Sequence, residues 1–92
     1  MDPEIKKNLE KFRYDIDEID NKIMELLVKR FSISSKIGEM KTLNKLTIND
    51  PNRENEIIDR LSNDYIGALD YKQIASIFSP IYSISKQIQK KK

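Results

Sequence analysis

Apolar residues recur along the first forty or so positions at alternating short steps. Leu9, Phe12, Ile16, Ile19, Ile23, Leu26, Ile33, Ile37 and Met40 are separated by 3, 4, 3, 4, 3, 7, 4 and 3 residues. That alternation is the seam of a long amphipathic helix that meets another helix along its length. The step of 7 skips one seam position, and that position holds Arg30. Asp2 followed by Pro3 predicts an N-cap and then proline at the first helical position. Between Pro3 and Pro51 the only glycine is Gly38, so nothing obvious breaks the helix.

The start signal repeats at Asp50-Pro51, ahead of Ile57, Ile58 and Leu61, and predicts a second helix that ends near Asn63. Asp64 to Leu69 contain Gly67 and read as a short loop. Asp70 then caps a third helix running to about Gln89, with Ile74, Ile77, Phe78, Ile81, Ile84 and Ile88 as its apolar positions. Pro80 lies inside it and should bend it or remove one backbone bond. Lys45 to Asp50 can be extended, but no strand signal competes with the helices. The expectation is an all-α fold of three helices, one very long and N-terminal and two shorter.

Length then bears on assembly. A helix of about 40 residues would be about 60 Å long, whereas a compact chain of this size has a radius of gyration of only about 12 Å. Two shorter helices cannot cover such a seam, so an intertwined helical homodimer is expected. Residues 1–92 read as one domain with a core over about 8–90, and Lys90, Lys91 and Lys92 read as a basic tail. So small a domain buries only about 60% of its unfolded surface and gains stability from a second copy.

Composition narrows the chemistry. There is no cysteine and no histidine, which removes disulfides, thiolate metal sites, the commonest zinc ligand and the commonest general base. Chemistry must come from carboxylates, amines, guanidiniums, amides or hydroxyls. A net charge of +2 from 17 basic and 15 acidic residues makes no case for nucleic acid. No stretch approaches the roughly 18 apolar residues of a membrane span, and the first residues lack the apolar region of a secretory signal. The expected location is cytoplasmic.

The anomaly on the seam is Arg30. An ion pair with Glu25, Asp20 or an acid of another chain explains it, and so does an anionic ligand. Lys41 lies 11 residues on, which is about 20° around a helix and about 16 Å along it, so the two cationic arms point the same way. Gly38 between them removes bulk, and a lysine near a helix end also suits the dipole. Asp50 and Glu54 are ordinary first-turn residues of the second helix, and Ser85 and Gln89 share a face of the third.

In order, these residues make a specific pattern. Leu9, Arg13, Ile16, Asp17, Ile19 and Asp20, then Arg30, then Gly38 and Lys41, then Asp50, Arg53 and Glu54, then Ser85 and Gln89, resemble the all-helical chorismate mutases over about residues 8 to 90. The resemblance implies conversion of chorismate to prephenate, a step toward phenylalanine and tyrosine, with no metal and no cofactor. It implies that Arg13 and Arg30 grip the substrate carboxylates and that Lys41 and Gln89 donate to its ether oxygen. Glu54 and the region of Asp50 would hold the ring hydroxyl, Arg53 and Ser85 would complete the polar shell, and Ile37 would belong to an apolar wall. Arg13 and Arg30 are 17 residues apart, about 25 Å along one helix. One small substrate meets both only if Arg13 comes from the other protomer. Tyr82 and Lys86 stand where aliphatic residues are expected, and Gln87 is a near neighbour of Gln89. The lysine run after an initial Met reads as a free-standing enzyme.

Two other readings compete. An isochorismate pyruvate lyase shares this fold and a cationic pocket but, on the family pattern, lacks the pair at Asp50 and Glu54. A non-catalytic helical dimerisation module explains the heptads but not Arg30, Lys41, Arg53, Glu54 and Gln89 together.

Overall fold

The computed structural model describes residues 2–91. It contains three helices, α1 (Pro3–Leu43), α2 (Pro51–Asp64) and α3 (Tyr71–Lys90), and no strand among the described residues. The segment from Lys45 to Asp50 is irregular rather than extended into a sheet. Lys90 is the last residue of α3, so the expected tail starts one residue later, and Lys92 lies outside the described residues.

Each helix start uses a short carboxylate as cap. Asp2 accepts from the Glu4 amide at 2.9 Å. Asp50 accepts from the Arg53 amide at 3.1 Å, with proline next in line. Asp70 and Gln73 form a reciprocal capping box at 2.8 and 3.0 Å. The end of α1 has no such sequence signal. There Lys45 takes a φ of 56°, and the amides of Leu46 and Lys45 bond back to the carbonyls of Lys41 and Thr42 at 2.7 and 3.3 Å. That is a Schellman turn built without its usual glycine. α3 runs through Pro80, which removes one backbone donor but does not end the helix.

The chain forms two compact units, one ending at Arg30 and the other beginning at Phe31. In the first, α1 carries no buried residue, and Phe12, Ile16, Ile19, Ile23 and Leu26 are all exposed. In the second, Ile57 and Ile58 of α2 pack with Ile74 and Tyr82 of α3, and Leu61, Ala75 and Phe78 close the edges. Phe78 and Tyr82 meet as tilted rings 5.8 Å apart. Ile77 and Ile84, expected as apolar positions of α3, stay exposed.

Candidate active site

The α1 face that packs inside the second unit is the small and polar one. Ser34 and Gly38 are buried and Lys41 is half-buried, while Ile33, Ile37 and Met40 remain exposed. Spacings of four and three put Ser34, Gly38 and Lys41 in one row. A Cβ on Gly38 would lie 2.7 Å from the Cα of Gln89 and 2.9 Å from its carbonyl oxygen. The two helix backbones therefore touch at Gly38, and only glycine leaves room. One turn away the Ser34 hydroxyl donates to the Ser85 hydroxyl at 3.3 Å.

This close approach buries Gln89. Among the described residues no group donates to its amide oxygen, Oε1. A buried polar group left unsatisfied costs about 1–3 kcal/mol, so this amide is open to a partner from outside the chain. Lys41 sits three residues beyond Gly38 and donates through Nζ to the Ile48 carbonyl at 3.0 Å. The Schellman turn makes that bond possible by folding residues 44–50 back over the end of α1. An ammonium carries three donors, so two remain for a ligand.

The first turn of α2 supplies the acids. Asp50 is held as the helix cap. Glu54 is gripped twice by α3: the Tyr82 hydroxyl donates to its main-chain carbonyl at 3.2 Å, and Lys86 Nζ lies 3.1 Å from its Oε2. Arg53, one residue earlier, is turned to solvent and pairs with Glu56 at 3.4 Å.

The second unit thus brings Ser85 and Gln89 onto the contact of α1 with α3, carries Lys41 one turn further along the same α1 row, and ties Glu54 to α3. It does not draw in Arg53 or Ile37, which are exposed. Arg13 lies exposed on α1 in the first unit, and Arg30 is half-buried at that unit's end. A groove of about 530 Å³ runs between α2 and α3; of the expected substrate-binding residues Glu54 lines it, together with Tyr82, Lys86 and Gln87. Sequence reasoning missed Ser34, and it read Tyr82 and Lys86 only as departures. Ser34 had a signal, since positions 30, 34, 38 and 41 repeat at helical spacing with small or cationic residues. Tyr82 and Lys86 had none, because their partners lie on another helix.

A family model described as chorismate mutase type II matches residues 12–90. The chain belongs to the type II chorismate mutase family. It is similar to a chorismate mutase of Methanocaldococcus jannaschii, 44% identical over 55 residues, covering 60% of this chain and 56% of that protein. It also resembles a bifunctional chorismate mutase/prephenate dehydratase of Aquifex aeolicus, 34% identical over 92% of this chain but only 25% of that protein. The chain thus spans about half or less of the length of the curated relatives it matches. Its fold superimposes on the crystal structure of chorismate mutase from Helicobacter pylori in complex with prephenate, with a TM-score of 0.85, 33% identity and 92% coverage of both chains. The structure of chorismate mutase from Thermus thermophilus gives the same TM-score of 0.85 at 25% identity, over 90% of this chain and 94% of that one.

Among the described residues no helix is long and apolar enough to cross a membrane.

Proposed function

We propose that this chain rearranges chorismate to prephenate in aromatic amino-acid biosynthesis, as a single mutase domain acting in a cytoplasmic homodimer. The observation that carries the reading is the contact of Gly38 with Gln89. It seats a buried side-chain amide with an unpaired oxygen beside the α1 row that carries Lys41. The family membership and the fold match to a prephenate complex support the same assignment.

The reaction is unimolecular and needs no nucleophile, metal or cofactor, so the site's work is to fold a flexible dianion into a chair-like geometry. Arg30 and the second protomer's Arg13 grip its two carboxylates, with Arg53 and Ser85 completing the shell. Asp50 and Glu54 hold the ring hydroxyl, and Ile37 supports the ring. As the C–O bond breaks, negative charge grows on the ether oxygen. Lys41 and Gln89 donate there, Gln89 with its amide turned so that the NH₂ group faces the oxygen. Donors aimed at charge that develops only in the transition state lower the barrier rather than merely tightening binding.

The second copy is supported by the exposed seam of the first unit, where Phe12, Ile16, Ile19, Ile23 and Leu26 form a stripe that a monomer would leave in water. The direct test follows the absorbance of chorismate with purified protein and identifies the product. Prephenate should accumulate, and activity should survive EDTA and dialysis unchanged. Release of pyruvate from isochorismate, with chorismate untouched, would assign the lyase reaction instead.

A further inference from the structure

We propose that Lys86 is a positioning residue for Glu54: it holds the Glu54 carboxylate in the orientation that accepts the substrate hydroxyl, and it offsets that carboxylate's charge against a dianionic substrate. The inference rests on the mutase reading above and adds to it a residue that the family-like pattern does not contain.

Lys86 follows Ser85 and precedes Gln89 by three residues, and both of those are buried. The backbone of this turn is therefore fixed by the contact of α3 with Ser34 and Gly38. From that anchored turn the Lys86 ammonium reaches Glu54 Oε2 at 3.1 Å. One turn earlier, Tyr82 holds the main-chain carbonyl of the same glutamate at 3.2 Å. Two contacts from one helix, one to the backbone and one to the carboxylate, restrict both the place and the rotamer of Glu54. A carboxylate offers about four acceptor positions, so an ammonium on one oxygen leaves the rest for a hydroxyl.

Stability does not explain the pair. The Lys86 and Glu54 side chains are 34% and 25% exposed, and partly solvated pairs of this kind contribute about 0–1 kcal/mol. An aliphatic residue at position 86 would pack as well. Charge does explain it. In the second unit Lys41 is turned to the Ile48 carbonyl and Arg53 is engaged by Glu56 at the surface, while Lys86 is the cation that reaches the Glu54 carboxylate. Without Lys86 the Glu54 carboxylate would lose the ammonium at 3.1 Å and meet the dianion with its charge less offset.

The test compares Lys86→Met, Lys86→Arg and wild type as purified full chains, each also in a Glu54→Gln background, with chorismate as substrate. Lys86→Met should lower kcat/KM about tenfold, the scale of losing one charged hydrogen bond, with helix content and thermal midpoint unchanged. Lys86→Arg should recover most of the loss. In the Glu54→Gln background the Lys86→Met step should lose most of its effect, because the neutral amide has no charge for the ammonium to hold or offset. Equal penalties in both backgrounds would show that Lys86 does not act through Glu54. Wild-type kinetics in Lys86→Met would overturn the proposal while leaving the mutase reading intact. A wild-type protein that leaves chorismate unchanged would instead remove the mutase reading, and this role of the pair with it.

Discussion

α1 changes character along its length. Up to Arg30 it carries a stripe of exposed apolar side chains, and none of its residues is buried. Beyond Phe31 the buried residues are Ser34 and Gly38, one small and polar and one with no side chain. The same helix thus shows apolar residues left in water and polar residues packed. Contact inside the chain is made where backbones approach, and only small residues permit that. The apolar stripe is the surface on which the proposed second copy would lie. A large apolar side chain gains about 1.5–3 kcal/mol on full burial, so a stripe of this kind is a strong drive toward a second copy.

The largest effect that would sharpen this contrast concerns Arg13 and Arg30. Arg13→Ala and Arg30→Ala should each fall about a hundredfold to a thousandfold or more in kcat/KM. Unfolded together and refolded, they should regain activity, because a mixed dimer rebuilds one whole site from two lesions. Random pairing in a symmetric dimer predicts recovery to about a quarter of wild type. A mixture that stays inactive would mean that Arg13 serves its own chain, and the exposed stripe would lose its functional meaning.

Next comes Gln89. With Gln89→Glu, the ionised carboxylate should oppose the growing charge on the ether oxygen and cost about a hundredfold to a thousandfold at pH 7.5. Protonation restores a donor, so activity should climb as the pH falls toward about 5. A flat difference from wild type across that range would remove Gln89 from the ether oxygen and point to Gln87.

A paired comparison then separates the two stretches of α1. Ile19→Asp should lower the mass seen by size-exclusion chromatography with light scattering, since it puts a charge on the stripe. Gly38→Ala should keep the dimer's mass but destabilise by about 1–2 kcal/mol. The clash is with Gln89 backbone atoms, so the overpacking penalty lies in the upper part of its range, about 2–3 kcal/mol, and outweighs the helix-propensity gain of about 1 kcal/mol. The thermal midpoint should drop by about 4–8 °C per kcal/mol, and kcat should fall as Gln89 is pushed aside. If Gly38→Ala were the stabler protein, the backbone contact with Gln89 would not exist as described.

The smallest effect lies at the end of α1. Lys45 pays the steric cost of a left-handed φ, about 1–2 kcal/mol. Glycine there relieves it but loses about 0.4–1 kcal/mol through the unfolded chain. Lys45→Gly should therefore stabilise by about 0.5 kcal/mol in thermal or urea unfolding and leave kcat unchanged. A loss of kcat would mean that the strained turn, and with it the bond from Lys41 to Ile48, helps place Lys41.

The sequence by itself determined the three helices, since Asp-Pro starts, the capping box at Asp70 and the 3–4 apolar steps are local signals. It also marked Lys41, Glu54, Ser85 and Gln89, because types and spacings along one chain are enough to form the family pattern. It did not say which face of α1 turns inward. Heptad reading assigned the apolar seam to a second copy and named no inward face, whereas the tertiary structure put Ser34 and Gly38 there, because the distance between two helix backbones is a property of both helices. For the same reason Tyr82 and Lys86 had no meaning until α2 brought Glu54 to them. Local periodicity records what a helix can bury, and only packing decides which neighbour it buries it against.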